Sequence, residues 1–224
     1  MKPLLILLAA LPFVACSTAT EKCTSVNQDR IHQSLSASYT KSDNSTQASA
    51  RFRFGDGTGT TLEMDGNCNI THGSITLSKS TFLGTSYSGD ATGFVANHTF
   101  IFTDNNSKTF TNSSTIREIA FARSAPTTVS RTGTTTVTFS PALETGETAY
   151  LYLVGQKTNV SGYSDVLGST TVTISESDKK DFPLGTAEIY LQLIKSPSLT
   201  EKTSTGGSFT TSYENAHESV TVNE

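Results

Sequence analysis

The sequence predicts an all-β protein built from two antiparallel sandwich domains. The 224 residues include 38 Thr and 30 Ser. Thr is β-branched and suits a half-buried pleated surface, whereas Ser also fills turns. Apolar and polar residues alternate over short runs, with turn residues roughly every 8–12 positions. This pattern occurs twice, in two segments of about 100 residues each, as expected for tandem sandwiches.

The first segment, residues 27–123, contains clear strand patterning. Ala50, Phe52 and Phe54 face one way, whereas Arg51 and Arg53 face the other, which is the period of a strand. Runs rich in Gly, Asp and Asn separate this strand from its neighbours and predict turns. The predicted strands of this segment are 34–40, 49–54, 61–64, 74–77, 81–87, 94–103, 108–111 and 116–121.

The pattern restarts after Arg123, so the second segment is predicted to span residues 124–224. Pro126 lacks an amide donor and fits a linker or the start of an edge strand. One stretch looks helical, 175–182, with Ser175 or Ser177 as its cap and Pro183 as its end. The predicted strands are 127–131, 134–139, 148–156, 169–174, 187–195, 207–213 and 217–222. Strands 148–156 and 187–195 are apolar on both faces, which predicts central positions in the sheet.

An apolar run from Leu4 to Val14 follows Lys2 and ends at Ala15-Cys16-Ser17. The run is too short to span a bilayer and has the size of a signal-peptide core. A small residue directly before Cys16 resembles the lipobox of bacterial lipoproteins. The resemblance implies that residues 1–15 are removed and that Cys16 carries a diacylglycerol. It further implies that residues 16–26 form a short tether, and that Ser17 permits transfer to the outer membrane.

The second segment also resembles the Ig-like domains of bacterial surface and periplasmic proteins. The resemblance rests on the order of a strand, a short helical turn, Pro183-Leu184-Gly185 and the long strand 187–195. It implies an all-β fold of two tandem Ig-like antiparallel β-sandwich domains. The chain has no Trp, and the second segment has no Cys pair, so it departs from the antibody type. Ig-like folds serve many roles, so no function transfers.

Two cysteines, Cys23 and Cys68, remain if Cys16 is lipidated. An even number in an exported protein predicts a disulfide, because that compartment is oxidising. Closing so long a loop stabilises the fold by about 4 kcal/mol in the chain-entropy account. Two free buried thiols are the alternative. A zinc site is disfavoured, because two Cys without nearby His fall short of its ligand set.

Three carboxylates, Asp56, Glu63 and Asp65, lie among glycine-rich turns and are weak candidates for a Ca²⁺ site. Their spacing matches no EF-hand, so simple turn chemistry is the preferred interpretation. The glycine-rich run is not followed by Lys-Ser/Thr, which argues against a phosphate loop. We therefore predict no cofactor.

The four histidines show no metalloprotease spacing, and the chain has no Gly-x-Ser-x-Gly elbow. His98 shares an apolar face with Phe100, which favours a hydrogen-bonded core residue. These observations predict a protein that is not an enzyme. Removing Lys2 with the signal changes the formal charge from −4 to −5, which argues weakly against the recognition of nucleic acid or anionic lipid by a basic patch.

The tyrosines are the remaining candidates for a binding surface, because Tyr is favoured at interfaces. Tyr163, in a predicted glycine-rich loop at 162–168, is the weak ligand-binding candidate, whereas core packing is preferred for Tyr150, Tyr152 and Tyr190. The sequence thus predicts a lipid-anchored envelope protein for adhesion, scaffolding or protein binding. A carbohydrate- or Ca²⁺-binding module is the alternative.

We expect Cys16→Ser to release the protein from the membrane fraction, because the acyl chains are its predicted attachment. Fractionation of cells that express either form measures this, and Ser17→Ala, which keeps the thiol, is the matched control. A Cys16→Ser protein that still sediments with membranes would contradict lipidation.

Overall fold

The computed structural model describes residues 19–82 and 84–224, and it is almost entirely β-structure. The strands of the first half are β1 Thr20–Lys22, β2 Ile31–Thr40, β3 Ser45–Phe54, β4 Thr60–Glu63, β5 Asn69–His72, β6 Ser78–Ser80, β7 Ser86–Thr92, β8 Asn97–Thr103 and β9 Thr109–Thr115. Those of the second half are β10 Ala120–Phe121, β11 Thr128–Ser130, β12 Thr135–Ser140, β13 Glu147–Val154, β14 Asn159–Ser164, β15 Thr171–Ile174, β16 Gly185–Lys195, β17 Gly207–Glu214 and β18 Glu218–Asn223. The helix α1 spans Glu176–Lys179.

Twelve strands form one main sheet that runs through both halves of the chain. Its order is β1-β4-β3-β2-β17-β16-β13-β14, with β7 and β6 added beside β3 and with β18 and β11 added beside β16. Two smaller sheets of three strands, β5-β8-β9 and β10-β12-β15, complete the fold. The predicted all-β class is therefore confirmed.

Both small sheets lie on the same face of the main sheet, which we call the inner face. Leu35 of β2 is in register with Phe209 of β17, and both side chains are buried. The Phe209 ring contacts Phe100 of β8 at 5.5 Å between centroids. Farther along the sheet, Leu151 packs in one core with Val137 of β12. Two hydrophobic cores thus lie side by side beneath one sheet.

The first core contains the predicted disulfide, Cys23–Cys68, which is confirmed. Cys23 is fully buried, and its carbonyl accepts a hydrogen bond from Gln28 Nε2 at 2.7 Å. The tether predicted at residues 16–26 is in part folded, because Thr20–Lys22 pairs in parallel with β4. The disulfide and this pairing hold the folded region close to the N-terminus.

The boundary predicted after Arg123 does not follow the packing. Ile116 and Ile119 belong to the second core, and Arg117 Nε donates to the buried Glu147 carboxylate at 2.9 Å. In the other direction, Leu199 is 6% exposed in the first core. Residues of each half of the chain therefore pack into the core of the other half. The two sandwiches interlock and are not separated at one point in the sequence.

Strand β17 joins the two sandwiches. It pairs in parallel with β2 along its full length, and it pairs with the end of β16 in antiparallel fashion. Gly207 begins this strand, and a Cβ there would lie 2.1 Å from the carbonyl oxygen of Gln33. Only glycine fits at so close an approach of two backbones. Strand β18 then continues along β16 after a bend at Asn215.

The predicted helical turn is confirmed, with Ser175 as its N-cap: its hydroxyl accepts from the Asp178 amide at 3.3 Å. Lys179 fixes the turn to the β11–β12 connection, since its buried ammonium donates to the carbonyls of Ser130 and Gly133 at 2.5 and 2.8 Å. Within the part of the chain that the structure describes, no helix has the length and apolar character needed to cross a bilayer.

Because β17 serves both cores, we expect Phe209→Ala to destabilise the entire molecule. Truncating a buried Phe costs about 3–5 kcal/mol, and calorimetry should show one unfolding transition that moves to lower temperature. Ser212→Ala, on the opposite face of the same strand, is the control and should change little. Two separate transitions, of which only one moves, would contradict a shared structural unit.

Candidate functional site

The outer face of the main sheet carries a row of five rings in its second half. We call this row the aromatic strip; it consists of Tyr163, Tyr150, Tyr152, Tyr190 and His217. Strand register builds it, because Tyr150 is opposite Tyr163 and Tyr152 is opposite Tyr190. Directly opposite aromatic residues stabilise neighbouring strands.

The rings contact one another along the whole strip. Centroid distances are 5.9 Å for Tyr163–Tyr150, 5.9 Å for Tyr150–Tyr152 and 4.9 Å for Tyr152–Tyr190. The strip ends where Tyr190 stacks on His217 at 4.1 Å, with 5° between the ring planes. At this separation, parallel rings lie face to face.

The tyrosines therefore present ring edges and hydroxyls to solvent more than ring faces, because side chains stand roughly perpendicular to a sheet. Tyr163 differs: it is 64% exposed and has a strip neighbour on one side only. Burial and the nearby Glu214 carboxylate raise the pKa of Tyr190 to about 12, so its hydroxyl stays protonated. The strip is thus a row of tyrosine rings with their hydroxyls directed to solvent, ending at His217.

His217 closes the strip between two carboxylates. Its Nδ1 lies 2.9 Å from Glu188, and its Nε2 lies 3.0 Å from Glu214. Both ring nitrogens can donate only when the imidazole is protonated. Partial burial alone would lower the pKa of His217, but the hydrogen bonds to the two carboxylates raise it above its usual value. The imidazolium stacked on Tyr190 is also a cation–π pair.

The prediction that Tyr150, Tyr152 and Tyr190 pack in the core is wrong. All three are half-buried on the outer face, whereas Leu151 and Ile189 fill the core from the inner face of the same strands. Both faces are apolar because the inner face packs against the small sheets and the outer face carries a ladder of rings. Period-two patterning gave the alternation but not which side was covered.

Each of the three carboxylates considered for Ca²⁺ forms hydrogen bonds or ion pairs with a different set of partners. Asp56 accepts from the Thr58 amide and hydroxyl at 2.7 Å, which is turn chemistry. The Glu63 carboxylate bridges two lysines, and Asp65 accepts from the Thr24 amide at 2.9 Å. Among residues 19–82 and 84–224, no group of three metal-ligating side chains comes together.

His98 is a hydrogen-bonded core residue, as predicted. It is 1% exposed, and its Nδ1 lies 3.1 Å from Nε2 of the buried His72. His72 Nδ1 accepts from the Ile75 amide at 3.2 Å, so its Nε2 carries the proton and donates to His98. Burial is the larger cause and the neighbouring His72 the smaller cause of a low pKa for His98, about 4.

Comparison of the chain with known protein families and with curated proteins found no match. The assignment of the aromatic strip as the candidate site therefore rests on its geometry alone. Sequence reasoning singled out Tyr163 but missed His217, which lies just after the bend at Asn215 and joins the strip only through tertiary structure. His217 lies between β17 and β18, outside the alternating pattern of either strand. Strand periodicity therefore could not predict that its ring joins the tyrosines.

We expect an NMR titration of the histidine rings to give His217 a pKa above 6.5 and to leave His98 neutral down to about pH 4. Since its folded-state pKa is raised, His217 stabilises the fold fully below pH 6.5, and this contribution is lost as pH rises through the folded pKa. The double substitution Glu188→Gln and Glu214→Gln should lower the pKa of His217, whereas the control Asp43→Asn should leave that pKa unchanged. An unchanged His217 pKa in the double variant would contradict the assignment.

Proposed function

We propose that this chain is a non-catalytic, lipid-anchored protein of the bacterial envelope that binds another protein through the aromatic strip. The observation that carries the proposal is the stacked row of half-exposed tyrosines on an outer sheet face that no described element covers. Tyr supplies large contact area with a polar tip at low entropic cost, which suits protein interfaces.

Ring orientation favours a protein over a sugar as the main partner. Sugars dock on free aromatic faces, but in the strip the faces of Tyr152 and Tyr190 stack on each other, and His217 covers a face of Tyr190. Edges and hydroxyls instead suit hydrogen bonds and van der Waals contact with another protein surface. Tyr163 retains one free face, so a carbohydrate contact is a second candidate at that end of the strip.

The pairing in the second half supports an Ig-like sandwich. The sheet β10-β12-β15 faces the strands β11, β18, β16, β13 and β14 across the second core. Helix α1 lies where the chain passes from β15 in one sheet to β16 in the other. Two packed antiparallel sheets with such a crossing are typical of this fold.

The lipid anchor comes from the sequence, because Cys16 lies outside the described residues. Strand β1 begins at Thr20, so residues 17–19 could reach only about 10 Å. Strands β1 and β14 are at opposite ends of the main path, about 30 Å apart at the usual strand spacing. Attachment through β1 would leave the aromatic strip at the end of the sheet farthest from the anchor. Ser17 suggests that the membrane is the outer membrane.

The histidine contacts support a non-catalytic role. His32 and Ser34 come closest to a nucleophile–base pair, at 3.5 Å between Nδ1 and Oγ. The carboxylate nearest to them, Asp56, is hydrogen-bonded within its own turn to Thr58. A triad needs the base to be oriented by a third group, and no such hydrogen bond to His32 is present among the described residues.

Site-specific photo-crosslinking in cells tests the proposal. With a benzophenone amino acid at position 163, we expect one discrete protein adduct, and none with the same probe at Thr138 on the opposite small sheet. Tyr152→Ala should reduce the adduct about tenfold, as loss of an interface anchor does.

The chemical nature of the adduct separates the two candidate partners. An adduct that protease digests supports a protein, whereas one sensitive to periodate and resistant to protease favours a glycan at Tyr163. An adduct of equal yield with and without Tyr152 would contradict the strip as the binding surface.

A further inference from the structure

A second surface lies on the outer face at the other end of the main sheet. It is a shallow groove across β3, β2 and β17, and we call it the basic groove. Its lining combines two guanidinium groups with hydroxyls: Arg51, Arg53, Ser34, Ser49, Ser208 and Thr210. Register explains the composition, because Arg51 is opposite Ser34, and Ser34 is opposite Ser208 on the next strand.

Among residues 19–82 and 84–224, no carboxylate forms an ion pair with either arginine of the groove. Neither Arg51 nor Arg53 forms a salt bridge or hydrogen bond with another described side chain. Partial burial, together with the neighbouring Arg51, lowers the pKa of Arg53, which reflects two like charges held on one strand face. An arrangement of this kind is favourable once an anion bridges them.

The two arginines are the charged side chains of the groove lining. On the adjoining strand β4, Glu63 is shared by Lys22 at 2.9 Å and Lys79 at 2.8 Å. Asp56, which follows the end of β3, interacts with His32, the residue opposite Arg53 in register. These carboxylates are thus engaged with groups other than the two arginines.

The groove lies beside the place where the N-terminal segment joins the fold. Arg53 is in register with Thr61 of β4, and Thr61 is in register with Thr20 of β1. Two strand spacings, about 10 Å, therefore separate Arg53 from the first residue of β1. Strand β1, which follows the predicted lipid site closely in the sequence, thus lies within about two strands of the groove.

We propose that the basic groove binds the phosphate groups of anionic membrane lipids, next to the point where the chain is anchored. Guanidinium groups bind phosphate in a bidentate manner, and hydroxyls supply further donors. Four strand steps separate β3 from β13, and sheet twist turns the face by about 80–100° over that span. The groove can therefore lie against a bilayer while the aromatic strip faces roughly parallel to the membrane plane.

Vesicle flotation with the full chain carrying Cys16→Ser tests this contact without the lipid anchor. The probes are vesicles of phosphatidylcholine and vesicles of an equimolar mixture of phosphatidylcholine and phosphatidylglycerol. We expect binding only to the anionic vesicles, and a loss of about tenfold or more with Arg51→Gln and Arg53→Gln together. Lys157→Gln with Lys180→Gln removes two exposed charges elsewhere and should leave binding unchanged.

Three results would overturn the proposal: equal binding to both kinds of vesicle, full binding by the arginine double variant, or equal loss in the lysine control. Sodium phosphate should displace the protein from the vesicles better than sodium chloride of equal ionic strength, because it competes for the same guanidinium groups. Binding of inorganic phosphate by a protein that does not float with anionic vesicles would instead assign the groove to a free anion. Tyr152→Ala should retain vesicle binding, so failure here is distinguishable from failure of the proposed partner site.

Discussion

The parallel pairing of β17 with β2 is the interaction on which the rest of the structure depends. Eight residue pairs connect the strand that begins at Gly207 to the strand at Ile31–Thr40. Through this ladder, a strand from the end of the chain completes the first core with Phe209 and the second core with Tyr213. Without it, each sandwich would expose an apolar inner face and an unpaired strand edge.

One continuous sheet has a functional consequence, because it creates one broad outer face. The two small sheets cover only the inner face, so the outer face carries whatever the alternate positions of each strand supply. On β13 and β16 these are tyrosines, and on β3 they are arginines, with Ser and Thr between them. Twist separates the directions of the two ends. A single layer can thus contact a partner at one end and a membrane at the other.

The histidines illustrate how position decides chemistry in this molecule. His98 and His72 are enclosed by the first core, where burial keeps them neutral and hydrogen-bonded to each other. His217 lies at the surface between Glu188 and Glu214, which favour its charged form. The same side chain is a neutral core group in one sandwich and a cationic end of an aromatic row in the other.

The sequence by itself determined the all-β class, a helical turn capped by Ser175 or Ser177, of which the structure uses Ser175, and the Cys23–Cys68 pair. These follow from local rules: strand period, capping chemistry and the pairing of the two cysteines that remain when Cys16 is set aside. Tertiary structure alone decided that β17 crosses into the first sandwich, and that Tyr152 and its neighbours face outward. Alternation fixes which residues share a face, but which face is covered depends on the layers that pack there, and these come from distant parts of the chain.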